Sequence, residues 1–410
     1  MRVLVSEHHH RGHYYRYLSH LVPAVAAVAS ETVVAVTREG RASPEFSTYL
    51  QPLAGIVRFE EILPSASPWV PMQERWQVHR DVRRAILDLD PDYVLMPSGD
   101  GPATLASVFR MIGRGAMPRR IPCEVGIHFG SGLTDDRSVR VRDWMNQLNL
   151  ALGGFARVHL ANVLFYEQAR SHGFGRTFTL MPDAVLPNPR LDKAESRRRL
   201  GIPADGRYIG LAASLDSRKA IGPMLAAFRA ASSSRSERVL LAGRISDAHL
   251  KTIQESFQDL VDEERLILIK GFISPETFQT VLTALDVVCT PYPGFGGLSG
   301  TVLEAVSAGR PILAHAYGWS KAMVRRFALG WTCDVLDHAA FTGTIRTALD
   351  RCDDYTETEA IRRLLRFHLP ENFARTWVEG IRSRNRLTNP DAHPWSWVVE
   401  AIPPPLRTSC

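Results

Sequence analysis

The stretch Pro291-Tyr-Pro-Gly-Phe-Gly-Gly-Leu-Ser-Gly-Thr-Val-Leu-Glu-Ala-Val-Ser-Ala-Gly-Arg-Pro-Ile-Leu-Ala314 decides how the rest of the chain reads. It follows an apolar run, Val287–Thr290, that has the length and β-branched content of a buried strand. Gly294, Gly296, Gly297 and Gly300 allow the backbone to approach a ligand closely. Ser299, Gly300 and Thr301 fall where a helix begins, and the unpaired N–H groups and dipole of a helix N-terminus suit a phosphate. Ser299 serves equally well as a plain N-cap. Glu304 follows about one helical turn later, on a face that reaches a ribose diol. Gly309 closes the helix and Pro311 opens the next strand. Strand, loop, helix, turn and strand make one unit of a parallel sheet. Taken alone, the glycines also fit a tight connection with no ligand.

The same rhythm extends in both directions. Upstream, strands are expected at Arg207–Ala213, Arg238–Leu241 and Leu266–Lys270, with helices over Gly222–Ala231 and Asp247–Val261 and a later strand at Pro311–His315. The first third carries a second set. Strands are expected at Met1–Ser6, Thr32–Thr37, Ile56–Phe59, Pro91–Pro97 and Cys123–His128, with helices over Tyr14–Ala29 and Gln73–Asp88. Continuous apolar strands between helices imply parallel sheets covered on both faces. Two such sets imply two doubly wound domains. A proline-rich, charged stretch, Pro182–Pro203, separates them, and the hinge is expected near Pro187–Asp192. The expected division is 1–187, 188–370, and a C-terminal helix with a proline-rich tail over 371–410 that packs back on the first domain.

The chain's 410 residues exceed what one core usually serves, which agrees with two domains. No apolar run is long enough to span a bilayer, and Met1-Arg-Val-Leu-Val-Ser-Glu-His turns polar too early for a signal peptide. Cys123, Cys289, Cys333, Cys352 and Cys410 lack metal-ligand or disulfide-framework spacing, so free thiols in a reducing, cytoplasmic compartment are expected. The net charge of +6 suits anionic partners such as phosphates, nucleotides or acidic lipid headgroups. No zinc-finger spacing, RNP-like aromatic motif or Lys/Arg tract supports nucleic acid. Two basic clusters, Arg110–Arg120 and Arg137–Arg142, the second beside Trp144 and Met145, read as solvated helix faces or as a peripheral contact at the inner membrane face.

The Pro291–Ala314 segment resembles the signature of the group 1 retaining glycosyltransferases, the family that includes phosphatidylinositol mannosyltransferases and sucrose synthases. The likeness rests on the Gly-rich loop, the Leu-Glu-Ala helix and the Gly-x-Pro ending. It covers most of the C-terminal half and, more weakly, the first strand and helix. It implies an α/β fold of the GT-B type, two Rossmann-like doubly wound domains facing a cleft. It also implies that Glu304 binds a nucleotide ribose and that the loop amides of Gly297, Leu298, Ser299, Gly300 and Thr301 hold a diphosphate. A second segment, Gly210-Leu-Ala-Ala-Ser-Leu-Asp-Ser-Arg-Lys-Ala-Ile-Gly222, resembles the family's cationic loop. Lys219 matches its lysine, and Arg218 neighbours Ser214, which stands in place of the family's arginine. Both cations also read as solvated surface charges. Gly296 likewise occupies the place of an earlier glutamate that contacts the donor sugar.

Lys270-Gly-Phe-Ile-Ser-Pro-Glu-Thr-Phe278 and Ala284-Leu-Asp-Val-Val-Cys-Thr-Pro291 resemble family segments before the loop. There the backbone at Phe272 and Ile273 frames the nucleotide base, and Asp286 reads as a structural cap. Arg244 lies at a strand's carboxyl end, where such sheets bind ligands. In the first domain, Gly12 matches the family's glycine beside the donor phosphates. His128 is the candidate acid–base group at the end of its strand, or else a satisfied buried histidine. Asp100, Asp135 and Asp136 are weaker polar candidates. His8, His9 and His10 point to alternate sides of an extended chain, so no metal site is expected. The catalytic set is therefore His128, Lys219 and Glu304. No cofactor is expected besides a nucleotide-sugar donor substrate, used without metal, and the acceptor is a glycan, a lipid-linked glycan or a small molecule. Two rivals stay open: a sugar-nucleotide epimerase on the same architecture, and a non-catalytic binding protein, which Ser214 and Gly296 favour.

Overall fold

A computed structural model describes residues 1–10, 14–64, 72–118, 120–133, 135–175, 177–189 and 191–382. Gly12 and the proline-rich stretch from Pro390 lie outside these residues. The chain divides into two compact units. The first contains Met1–Ala184 together with the stretch from Phe367, and the second contains Val185–Arg366.

The first unit is built on seven parallel strands: β1 Arg2–Glu7, β2 Glu31–Thr37, β3 Arg58–Leu63, β4 Tyr93–Met96, β5 Cys123–Ile127, β6 Arg157–Leu160 and β7 Phe178–Leu180. Their order is β3-β2-β1-β4-β5-β6-β7. The sheet runs outward from β1 in both directions, and Val3 pairs with Thr32 on one side and Tyr93 on the other. Val3, Leu4 and Val5 are wholly buried, as a strand covered on both faces requires. The second unit has six: β8 Arg207–Ala212, β9 Glu237–Gly243, β10 Leu266–Lys270, β11 Val287–Thr290, β12 Ile312–His315 and β13 Gly330–Cys333, in the order β10-β9-β8-β11-β12-β13. These sheets, with helices between consecutive strands, are the expected doubly wound α/β fold.

Strands β6, β7 and β13 were not expected. Arg157-Val-His-Leu160 hides its apolar character behind two polar side chains. Both are satisfied by the buried carboxylate of Glu124, which accepts from His159 Nε2 at 2.9 Å and from Arg157 at 3.4 Å. β7 has only three residues, and β13 is a half-exposed edge strand. The helix expected over Asp247–Val261 divides at Phe257, whose buried ring interrupts the turn between Asp247–Ser256 and Gln258–Asp262.

The helix Pro370–Arg382 packs along the helix Tyr14–Ala26 within the first unit. Its Trp377 is fully buried, 4.3 Å from the His159 ring between centroids. Gly380 is needed there, because a Cβ at that position would lie 2.0 Å from Glu124 Oε1. In the second unit Asp286 is a structural anchor. Its carboxylate accepts from Lys193 at 2.5 Å, from Arg197 at 2.7 Å and from the Tyr208 backbone N–H at 2.7 Å. Arg197 and Asp286 are both buried. Removing one partner of a buried pair leaves the other charge uncompensated, a cost of about 3–5 kcal/mol. Asp286→Ala is expected to lower the unfolding free energy of the protein by about that amount in urea titration. A loss below about 1 kcal/mol would show that the cluster is not an anchor.

Candidate functional site

In a doubly wound sheet, ligands bind beyond the carboxyl ends of the strands where the order reverses. In the second unit that point lies between β8 and β11. The loop after β8 is held by pairing with the loop after β9: Leu215 N–H donates to Arg244 O at 2.8 Å, and Ser246 N–H to Leu215 O at 3.1 Å. It then turns back toward β11, and Ala220 N–H donates to Pro291 O at 2.9 Å. This sets Lys219 beside the start of the Gly-rich loop. Its ammonium lies 3.6 Å from the centroid of the Tyr292 ring and the side chain is buried. Burial, with Arg218 nearby, brings the amine down to about 8. The buried Tyr292 phenol, whose ionisation burial opposes, lies close to the Thr301 side chain in the first turn of the helix Gly300–Ser307. A cation, an aromatic face and a helix N-terminus thus meet within one unit.

The structure separates Arg218 from Lys219. Arg218 is 64% exposed in its side chain and forks onto Asp216, at 2.8 and 3.1 Å. Burial opposes ionisation of Asp216, yet the hydrogen bonds and charge of Arg218 hold it below the usual carboxylate range. Ser299 is buried, and its hydroxyl does not cap the helix. Glu304 is buried in the same helix. Gly297 and Leu298 are half-buried in the loop. Arg244 lies over the exposed ring of Phe272 at 5.7 Å, beyond β9 and β10, and Ile273 is half-buried beside it.

Sequence reasoning missed Tyr292, Gly318 and Trp319. Gly318 has φ +57°, and a Cβ there would stand 2.4 Å from the Cα of Gly296. Trp319 N–H donates to Gly296 O at 3.1 Å, and its ring is buried. The start of the helix Gly318–Phe327 therefore pins the middle of the Gly-rich loop. The aromatic residue in Pro291-Tyr-Pro was a visible signal. Nothing in the spacing showed that it meets Lys219.

The corresponding point of the first unit lies between β1 and β4. Asp100 follows β4 and its Oδ1 accepts from the backbone N–H of His128 and of Phe129, each at 3.0 Å. Its Oδ2 accepts from His128 Nδ1 at 3.3 Å. Asp100 is thus a positioning group for His128. Burial pushes the imidazole down, but Asp100 outweighs it and raises His128 above its ordinary value. Burial works against Asp100 too, and the His128 hydrogen bond holds it low. The ring of Tyr17 stacks on His128 at 6.0 Å and 10°. Tyr17 donates to Asp183, whose own N–H donates to His368 Nδ1 at 2.8 Å.

Close by, Glu7 is buried at the end of β1. Burial pushes it up to about 8, so it carries a proton at neutral pH. His8 is brought down to about 4 by burial and uses both ring nitrogens, on Ser6 and Pro64 O. Asp136 caps the helix Arg137–Leu152 through Ser138 and Val139. Among the described residues no group of three metal-ligating side chains occurs.

Residues 206–351 match the family described as glycosyl transferases group 1. No curated protein matches the chain. Solved structures with the same fold include sucrose-phosphate synthase from Thermosynechococcus elongatus, at TM-score 0.67 and 16% identity, covering 94% of this chain and 99% of that one. HepE from Anabaena, in complex with UDP and glucose, gives TM-score 0.66 at 14% identity, covering 93% and 100%. A putative UDP-N-acetylglucosamine 2-epimerase from Listeria monocytogenes gives 0.60 at 14%, covering 95% and 97%.

Asp100→Asn removes the charge that raises His128. The His128 titration, followed by NMR, is expected to move to lower pH, because burial is then opposed only by the weaker influence of Asp183 and Glu7. A raised imidazole stabilises the fold fully below its ordinary value of 6.5 and loses that contribution as pH rises through the folded-state value. The variant should therefore lose stability mainly on the acid side of neutrality. An unmoved His128 titration would refute the pairing.

Proposed function

We propose that this chain, a GT-B glycosyltransferase whose residues 206–351 form a group 1 glycosyltransferase domain, transfers a sugar from a uridine diphosphate donor to an acceptor hydroxyl, with retention and without a metal ion. The observation that carries this reading is the buried Lys219 ammonium against the Tyr292 ring, at the start of the loop that leads into the Gly300–Ser307 helix. In the reaction the bond from the anomeric carbon to the diphosphate oxygen breaks. The acceptor oxygen bonds to that carbon, and its proton passes to the departing phosphate or to a base. Negative charge grows on the diphosphate, where a desolvated cation and free helix N–H groups are worth most. Lys219 and the amides of Gly297–Thr301 fill that role. Glu304 takes the ribose, and Phe272, Ile273 and Arg244 frame the base. Arg218 reaches the diphosphate only by leaving Asp216. His128, held by Asp100, handles the acceptor proton or a sugar hydroxyl. Uridine is favoured because HepE binds UDP and glucose, and retention follows from the family resemblance. The acceptor is a glycan, a lipid-linked glycan or a small molecule, and the site of action is cytoplasmic.

Titration calorimetry with UDP tests the donor site. Lys219 loses its proton near pH 8, below the 10.5 of an ordinary lysine. A bound diphosphate favours the protonated amine. Affinity should fall as pH rises past about 8, by up to about tenfold per pH unit, and the slope should vanish in Lys219→Gln. Glu304→Ala should weaken UDP by about 1.5–3 kcal/mol. Wild-type binding that ignores pH up to 10 would remove Lys219 from the diphosphate.

Turnover is expected to survive chelation. Loss of activity in chelator, restored by magnesium or manganese, would overturn metal independence. Product analysis in the same assay separates the two enzymatic readings. Release of UDP with a glycosylated acceptor identifies transfer, whereas conversion of the donor into a second UDP-sugar identifies an epimerase.

A further inference from the structure

The helix Arg137–Leu152 is amphipathic in the reverse of the usual sense. Its inward face buries Asp143 and Gln147 between Val139 and Leu150. Both polar groups are hydrogen-bonded, Asp143 through its Oδ2. Asp143 accepts from the Ser131 and Gly132 N–H groups at 3.2 and 2.8 Å. Gln147 donates to Gln168 at 2.9 Å and accepts from His172 at 2.7 Å. The outward face instead carries Val141, Trp144, Met145 and Leu152, all exposed. Their spacing of three, one and seven residues forms one stripe, about 16 Å long at 1.5 Å per residue. Trp144 is 44% exposed and Met145 59%.

The stripe continues onto a second helix. Ala106–Met111 lies alongside, joined through Ser107 N–H and Oγ to Asn149, through Asn149 to Ala103 O, and through Arg110 to Leu152 O. It adds exposed Val108 and Met111, followed by exposed Ile112, with Met111 75% exposed. More than half of the exposed large apolar side chains among the described residues stand on these two neighbouring segments. Arg137, Arg140, Arg142 and Arg114 are exposed around them. The only exposed carboxylates on these segments among the described residues are Asp135 and Asp136, at the start of the helix. Asp136 is engaged as its cap.

We propose that this face docks the protein on an anionic lipid bilayer. An apolar stripe rimmed by arginine is the arrangement that lies in a membrane interface. Trp and Met enter the acyl boundary, while guanidinium groups reach back to phosphate headgroups. The excess of arginine over carboxylate selects an acidic surface over a neutral one. No helix among the described residues is long and apolar enough to cross a membrane, so the contact is with one leaflet. The inference does not depend on the donor or on the chemistry.

Co-sedimentation with phosphatidylcholine vesicles, with and without phosphatidylglycerol, tests it at low and moderate salt. The expected result is binding that requires the acidic lipid and fades with salt. Arg137→Gln with Arg142→Gln should lower the partition about twenty-fivefold, at about fivefold for each basic residue. Trp144→Ser with Met145→Ser should lower it through the apolar part alone. Both variants change exposed positions, so unaltered thermal melting and circular dichroism are expected to show that they remain folded. No binding to acidic vesicles at low salt, equal binding to neutral vesicles, or full binding by both variants would overturn the proposal. Self-association in sedimentation velocity that both variants abolish, without vesicle binding, would assign the face to a second copy of this chain and overturn it equally.

Discussion

The pairing of strands that are not neighbours in sequence is the constraint from which the rest follows. β1 lies against β4, and β8 against β11. At each of these seams the connections leave in opposite directions, so no crossover covers the carboxyl ends. In the second unit the uncovered point is where the Lys219 loop turns back to donate to Pro291 O and where the Gly-rich loop begins. In the first, Glu7 ends β1, Asp100 follows β4, and His128 follows the adjacent β5. The strands are apolar and deeply buried, so their register is fixed by what they exclude from water. A shift of one residue would turn the whole constellation to the wrong faces.

Desolvation gives those seams their chemistry, and it acts differently on each group. Lys219 lies against an aromatic face, and burial brings it toward neutrality. Glu7 is pushed up the same way. His128 goes in the opposite direction because Asp100 is fixed beside it by two backbone N–H groups. Away from the seams the same ingredients serve stability. Asp286 collects Lys193, Arg197 and a backbone N–H, and Glu124 collects Tyr93, Arg157 and His159. A buried carboxylate whose acceptor sites are filled by fixed donors is an anchor. A buried titratable group at a strand end with little compensation is a candidate for binding or chemistry.

Much of this was visible in the sequence by itself. The apolar strands, the helices between them, the glycine loop and its helix start announced two doubly wound domains. The reason is that period, glycine placement and helix-stop signals are local properties of the chain. Strands failed to show where that logic was masked: Arg157-Val-His-Leu160 looks polar until Glu124 is seen to satisfy it. The resemblance to the group 1 pattern likewise drew Lys219 and Glu304 as candidates, because they stand in continuous motifs. Tertiary structure alone decided which of two adjacent cations is buried, since Arg218 finds Asp216 and Lys219 finds Tyr292. It also decided that Gly318 and Trp319 brace Gly296. It turned Trp144 and Met145 outward by drawing Asp143 and Gln147 in. Each of these outcomes depends on partners distant along the chain. A side chain's exposure, charge state and contacts are set by what packs against it, and only the folded sheet brings those groups together.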